Sequence, residues 1–362
     1  MSSIPKPGVR HPGLPRNALG LSRRDYEGVM STLCAGCGHD SITAALVQAF
    51  FELDLPPHRA IKLSGIGCSS KTTAYFLRQS HGFNAVHGRM PAVATGANAA
   101  NRELMAIGVS GDGDSLSIGL GQFCHAIRRN VNLLYVLENN GVYGLTKGQF
   151  SASADLGSKS KRGEPNPQRP IDPVLLALTL GATFVARSFS GDKAQLVPIL
   201  KAGLRHEGFA FVDVISPCVT FNDHEGSTKS YRFTREHYRE VAPVDFIPLR
   251  KEITAPREGY AGDGQGSGDG GGTMELRMHD GSVVRFRAVD QHYDPTDRVA
   301  AYTYLRARQD AGEVVTGLLY LEEGAPDMHA INGTITTPLC ELPYQDLCPG
   351  NEALQSLLEG FR

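Results

Sequence analysis

From about residue 31 to residue 217, short apolar runs alternate with stretches of helical periodicity. The runs predict strands at Ala60–Leu63, Ala106–Ser110, Asn132–Leu137, Thr183–Ala186 and Phe209–Ile215. Between them, apolar positions spaced three and four apart predict helices at Ser41–Leu53, Thr72–Gln79, Ser115–Arg129, Pro173–Leu180 and Ala194–Arg205. Strands interleaved with helices imply an α/β fold, a mostly parallel sheet flanked by helices on both faces. Ligands of such sheets bind in the loops at the carboxyl ends of strands, so chemistry is expected there.

The flanks break this rhythm. Residues 1–30 read as an irregular arm, 31–250 as the main domain, 251–275 as a glycine-rich linker and 276–362 as a C-terminal extension. The extension carries strand patterns at Val283–Val289 and Val314–Leu321, with a mixed segment near Arg298–Gln309 between them. Inside the main domain, 151–171 is a long Ser-, Pro- and Arg-containing loop, a length that is usually functional or mobile.

Composition narrows the classes. The 362 residues are 41% hydrophobic and 20% charged, as in ordinary globular proteins. A net charge of −2 offers no global attraction for nucleic acid or an anionic membrane. The opening residues contain no apolar leader, and no run approaches the roughly 20 apolar residues of a membrane span. The expected location is cytoplasmic. Seven unevenly spaced cysteines then point to metal or redox chemistry before disulfides.

The sharpest segment is 106–144, AIGVSGDGDSLSIGLGQFCHAIRRNVNLLYVLENNGVYG. A strand ends in a Gly111-Asp112-Gly113-Asp114 turn into a helix, and the next strand ends in Glu138-Asn139-Asn140. Asp112 and Asn140 thereby offer hard oxygen donors at the ends of two strands expected to be neighbours in the sheet, and the Val142 carbonyl is a third candidate. Such a set suits Mg²⁺ carrying two phosphate oxygens and a water. Glycines at 111 and 113 allow close backbone approach to a diphosphate. A glycine turn without a ligand is an equal reading of GDG alone. A dinucleotide site with Glu138 on the ribose is a third reading, weakened because Leu116 stands where the last glycine of G-x-G-x-x-G belongs.

Cys34 and Cys37 form a C-x-x-C just before the first predicted helix. Cys68 follows the first strand in Ser64-Gly65-Ile66-Gly67-Cys68-Ser69-Ser70-Lys71, and Cys218 follows the strand at Phe209–Ile215. All these loops lie on the carboxyl side of one sheet, so four thiolates can converge on zinc or on a 4Fe–4S cluster; spacing alone does not choose. Cys124 sits on an apolar helix face, and Cys340 and Cys348 lie in the tail, where structural or surface roles are the simpler reading.

Six segments in order, CAGCGH (34–39), GIGCSSK (65–71), HGRMPAVATG (87–96), GDGDSLSIG (111–119), ENNGVYGLTKGQ (138–149) and SPCVTFND (216–223), resemble the beta subunit of 2-oxoacid:ferredoxin oxidoreductases. Among these the resemblance is greatest to the 2-oxoglutarate synthase type, and it spans about 190 residues. It implies a thiamine diphosphate-binding domain in which Cys34, Cys37, Cys68 and Cys218 hold a 4Fe–4S cluster, while Asp112, Asn140 and Val142 hold Mg²⁺. It also implies that Ile66, Gly67, Cys68, Ser69, His87, Gly113, Asp114, Gly144 and Leu145 line the thiamine diphosphate. Lys71 would face the 2-oxoacid carboxylate, and Leu145 would help shape the side-chain space. The activity implied is oxidative decarboxylation of a 2-oxoacid, with 2-oxoglutarate preferred, using coenzyme A and giving acyl-CoA, CO₂ and reduced ferredoxin, reversible as CO₂ fixation. Pyruvate, a branched-chain 2-oxoacid, or a non-redox thiamine decarboxylase with structural zinc are the alternatives. The resemblance further implies an alpha subunit that carries the catalytic glutamate, in an alpha2beta2 assembly.

Overall fold

The computed structural model describes residues 4–8, 11–160, 162–242, 244–247, 273–277, 282–287 and 293–361. The glycine-rich stretch at 259–272 lies outside them. The first half of the chain runs α1 (Gly38–Glu52), β1 (Ala60–Ser64), α2 (Cys68–Thr72), β2 (His81–Asn84), α3 (Met90–Ala100) and β3 (Met105–Gly111). Then come α4 (Leu120–Arg128), β4 (Leu133–Asn139), and the short strands β5 (Val142–Tyr143) and β6 (Gln149–Phe150). These are followed by α5 (Pro173–Leu180), β7 (Phe184–Phe189), α6 (Lys193–Arg205), β8 (Phe209–Ile215) and α7 (Tyr231–His237). Beyond them lie β9 (Tyr238–Ala242), β10 (Val244–Ile247), β11 (Thr273–Arg277), β12 (Val283–Arg287), α8 (Arg298–Asp310) and β13 (Val314–Leu321). Three short helices follow, α9 (Met328–Asn332), α10 (Tyr344–Leu347) and α11 (Asn351–Glu359).

Eight strands form the central sheet in the order β2-β1-β3-β4-β8-β7-β13-β9. Every pairing is parallel except β13 against β7. Side chains alternate across the pleat, so each strand feeds two cores. One face packs Val109, Val136, Val212 and Val214 against Ile42, Leu46 and Phe50 of α1 and Leu196 and Leu200 of α6. The other packs Leu63, Tyr135, Leu137 and Phe211 against Met90, Phe123, Leu178 and Leu305 from α3, α4, α5 and α8. Strands buried on both faces read as the continuous apolar runs seen in the sequence.

Three local differences from the expected elements have physical causes. Residues 72–79 are not a helix: α2 ends at Thr72, and Leu77 takes a left-handed φ of 46°. The backbone there turns away to bind the arm, with Gly28 N–H donating to Tyr75, Val29 to Ala74 and Leu77 to Tyr26. The helix expected at 115–129 is broken at Gly119, after a wide turn spanning Gly113–Ile118. Gly119 packs on Gly88, where a methyl group would stand 2.8 Å from Gly88 Cα. Finally, β13 of the supposed extension lies inside the central sheet, between β7 and β9, with α8 packed beside it. A cut at residue 276 therefore does not separate this segment from the main body. Among the described residues no helix is long and apolar enough to cross a membrane.

Candidate functional site

The carboxyl ends of β1, β3, β4 and β8, four neighbours in the sheet, meet on one rim. They lead into Gly65–Ser69, Asp112–Asp114, Asn140–Val142 and Ser216–Cys218. The loops expected to carry chemistry are thus gathered by topology alone.

Asp112 is almost fully buried. Its Oδ2 accepts from the Gly141 N–H at 2.9 Å, from the Ser153 hydroxyl at 2.5 Å and from the Ser151 hydroxyl. Burial raises its pKa, opposed by those hydroxyls, the Lys229 ammonium and the Gly141 amide. Asn140 lies directly before Gly141; its Oδ1 accepts from Val142 N–H at 2.9 Å and its carbonyl from Asn222 Nδ2 at 2.8 Å. Val142 opens β5, paired with Phe150. Asn140 and Val142 therefore share one turn, which Asp112 anchors from the neighbouring loop through Gly141. Gly141 has φ 76°, and a Cβ there would stand 2.6 Å from Asn222 Nδ2, so the turn requires glycine.

The Asp114 carboxylate is engaged with neighbouring loops. Its Oδ1 accepts from Gly88 N–H at 2.7 Å and its Oδ2 from Ser110 Oγ at 2.8 Å. A methyl group on Gly65 would fall 1.7 Å from that Oδ2. Asp114 thus ties three loops together behind the rim. The Gly113 carbonyl accepts from Tyr143 Oη at 3.0 Å, and the Tyr143 ring packs where a Cβ on Gly113 would stand. Gly67, with φ 90° and open space beside it, starts α2; Ile66 accepts from Ser69 Oγ at 3.3 Å. His87 and Leu145 are exposed next to these loops.

The thiols assemble one step along the rim. Cys37 N–H donates to Cys34 O at 3.0 Å, closing the C-x-x-C turn through Gly36 at φ 81°. Gly38 N–H reaches Pro217 O at 3.4 Å, and a Cβ on Gly38 would strike Ser216 Oγ at 2.5 Å, so this loop lies directly on the one bearing Cys218. Thr220 Oγ1 donates to Cys34 Sγ at 3.5 Å. A Cβ on Gly144 would sit 3.5 Å from Cys68 Sγ and 3.6 Å from Cys218 Sγ. Gly144 therefore keeps space open between two thiols. Burial pushes the Cys37 thiol up to about 12, helped by Glu138, Cys218 and Cys68. Burial likewise raises Cys68, with Cys218 adding to it, and raises Cys218, with Cys34 adding to it. Cys340 and Cys348 are exposed on the tail, and Cys124 is half-buried on α4. Among the described residues no three His, Cys, Asp or Glu side chains close on a point as ligands of one ion do. Thiolates of a four-iron cluster bind different irons and stand farther apart.

One feature had no signature in the sequence, and one sequence candidate proves to be buried. Ser151 and Ser153, from the long loop, bond Asp112; a serine at arbitrary spacing gives no warning of this. Glu138, the acid of the dinucleotide reading, is fully buried with no hydrogen bond to either oxygen. Burial holds its pKa well above the carboxylate range, while His39, 3.6 Å away, is pushed down to about 4. His39 is therefore neutral near pH 7, and the fully buried Glu138 cannot face a ribose. Lys71 Nζ donates to Thr32 O at 3.0 Å and lines a cavity of about 310 Å³ with Lys62, Ser70, Tyr75 and Asn84.

Residues 65–214 match the family described as thiamine pyrophosphate enzyme, C-terminal TPP binding domain. The 2-oxoacid:ferredoxin oxidoreductase subunit beta of Saccharolobus solfataricus is 45% identical over 220 residues, 60% of this chain and 71% of that one. The 2-oxoglutarate oxidoreductase subunit KorB of Mycobacterium tuberculosis is 41% identical over 191 residues, 52% of this chain but 51% of its own length. The 2-oxoglutarate:ferredoxin oxidoreductase from Magnetococcus marinus, solved with 2-oxoglutarate, coenzyme A and succinyl-CoA bound, superposes with a TM-score of 0.68. That match is 32% identical and covers 86% of this chain and 89% of that chain. Fold and rim define a thiamine diphosphate-binding domain of the oxidoreductase class. The chain belongs to the beta subunits of the 2-oxoacid:ferredoxin oxidoreductase family.

Proposed function

We propose that this chain, with an alpha subunit in an alpha2beta2 assembly, oxidatively decarboxylates 2-oxoglutarate with coenzyme A and reduces ferredoxin. The observation that carries the reading is the juxtaposition on one rim of the Asp112–Asn140 oxygen turn and the four-thiol loop cluster. Cys34, Cys37, Cys68 and Cys218 fit a 4Fe–4S cluster because Gly144 leaves the space between two of the sulfurs clear. Asp112 and Asn140, with the Val142 carbonyl, suit Mg²⁺ because a buried carboxylate and an amide of the hard-oxygen type stand on two adjoining loops, joined by Gly141 N–H. When bound, thiamine diphosphate supplies the electron sink for decarboxylation and the cluster supplies one-electron transfer.

The chain's own residues then divide the work. Asp112 and Asn140 would hold a cation, which would supply charge neutralisation for a diphosphate. Ile66, Gly67, Ser69, His87, Gly113, Asp114, Gly144 and Leu145 make or support the walls of the cofactor site. Burial raises the Cys37, Cys68 and Cys218 thiols, so binding metal through them would release protons. Lys71 and Lys62 share a cavity with apolar walls, and burial lowers Lys62 to about 8. Lys62 Nζ is spent on the Phe76 and Leu77 carbonyls, at 2.6 and 3.0 Å, so Lys71 is the cation offered to a 2-oxoacid carboxylate, and the choice of 2-oxoglutarate is supported by the relatives that act on it. The alpha subunit contributes the glutamate. The location is the cytoplasm.

The test is anaerobic co-expression of both subunits, followed by coenzyme A-dependent ferredoxin reduction with 2-oxoglutarate, pyruvate and a branched-chain 2-oxoacid. The expected outcome is the highest kcat/KM with 2-oxoglutarate. Equal or better turnover of pyruvate overturns the substrate, and decarboxylation without carrier reduction overturns the redox role.

A further inference from the structure

A chain of buried polar groups runs from the far half of the sheet to Asp112. Arg187 on β7 and Asp213 on β8 are register partners, and Asn139 on β4 lies two residues beyond Leu137, the partner of Asp213. Side-chain alternation puts all three on one face at the carboxyl ends of their strands. Arg187 Nε donates to Asp213 Oδ2 at 2.7 Å, and its Nη2 donates to both oxygens of Asp172 at 2.9 Å. Asn139 Nδ2 donates to Asp213 Oδ1 at 3.0 Å. Ser153 Oγ lies 2.9 Å from Asn139 Oδ1 and 2.5 Å from Asp112 Oδ2, its one proton shared between these acceptors.

Burying such a set is expensive. Asp213, Asn139, Ser153 and Asp112 are all at most 3% exposed. A buried ion triad is generally no more stabilising than apolar side chains of the same volume. Its value lies in geometry: each member has one orientation compatible with its neighbours, so the series fixes where Ser153 points. Asp172 is itself held at the N-terminus of α5 by Val174 and Leu175 N–H groups, which anchors the far end to the fold.

We propose that Ser153, Asn139, Asp213 and Arg187 are positioning residues, a relay that fixes the Asp112 carboxylate so that its second oxygen faces the cation. The inference rests on the reading of Asp112 as a Mg²⁺ ligand. Hydrogen-bond partners behind metal ligands typically change metal affinity about 10–100-fold when removed.

The test uses the co-purified two-subunit complex, freed of divalent cation by chelation with its iron retained, with thiamine diphosphate present. Mn²⁺ affinity is read by electron paramagnetic resonance of the free ion, and thermal unfolding of the complex without divalent cation is measured alongside. Ser153→Ala should weaken Mn²⁺ binding about 10–100-fold, and Ser153→Thr, which keeps the hydroxyl, should restore most of it. Arg187→Lys keeps the charge but loses the planar fork, and should weaken binding in the same direction by less. Asp112→Ala is the reference for the ligand itself. If Asp112→Ala abolishes binding while Ser153→Ala and Arg187→Lys bind as the parent does, the relay is overturned and the ligand reading stands. Normal Mn²⁺ affinity in Asp112→Ala overturns both. Lowered unfolding temperature in Ser153→Ala with unchanged affinity also overturns the relay, leaving a structural hydroxyl.

Discussion

The oxygen centre and the sulfur centre share a rim, yet one is filled with its own hydrogen bonds and the other is held open by glycine. Around Asp112, two hydroxyls and a backbone amide crowd a single carboxylate oxygen, and Asn140 is braced by Val142 and Asn222. Around the thiols, contacts come mostly from loop backbone, and a glycine stands between Cys68 and Cys218. The contrast follows from what each would bind. A small hard cation demands near-ideal orientation of few ligands, so its ligands are locked beforehand. A cluster brings its own internal geometry and needs room and deprotonation, so its ligands sit in loops.

Separating the centres should produce the largest effects. Asp112→Ala removes a ligand, and should cost thiamine diphosphate affinity more than the roughly 100-fold upper range for a supporting partner, with iron content unchanged in anaerobic preparations. Cys218→Ser should do the reverse, losing iron while the metal-dependent binding of thiamine diphosphate persists. Loss of both in either variant would mean the centres are one cooperative unit.

Gly65→Ala tests how tightly the oxygen side is packed. Its methyl group meets Asp114 Oδ2 at 1.7 Å, so about 1–3 kcal/mol of stability should be lost in denaturant titrations. Gly144→Ala tests the open side. Its methyl group meets both sulfurs at ordinary contact distance, so the iron-free chain should change by under about 0.5 kcal/mol. Iron occupancy after reconstitution should nevertheless fall; full occupancy would show that the gap is not needed.

The smallest effect is in pH. Cys37 rises from its ordinary 9.0 to about 12 in the fold, so the native state holds a proton that the unfolded chain releases. Its stabilising contribution is complete below pH 9 and is lost as pH climbs from 9 toward 12. Urea midpoints of the iron-free chain should fall over that window, less steeply in Cys37→Ser.

The strands were legible because burial on both faces leaves continuous apolar runs. Helix α3 was not, since its Ala-, Gly- and Asn-rich sequence, MPAVATGANAA, shows little amphipathic period. Tyr75, Phe76 and Leu77 looked helical because they are apolar, but their backbone is spent on pairing with the arm. The place of β13 depended on a pairing with β7 across more than a hundred residues, which no local pattern encodes. At the site, cysteines and the GDG and NN turns stood out by residue type and by position after strands. Ser151, Ser153 and Asn222 did not, because their role exists only through what the fold sets beside them.

The central claim is that the two centres coexist in this chain. It is tested most directly by purifying the two-subunit complex without oxygen, assaying iron, sulfide, zinc and thiamine diphosphate, and recording electron paramagnetic resonance after reduction. Iron and sulfide are expected in the proportion of one four-iron cluster per chain, with one thiamine diphosphate and the signal of a reduced cluster. Zinc in place of iron, or thiamine diphosphate bound to a chain that never takes up iron, would contradict it.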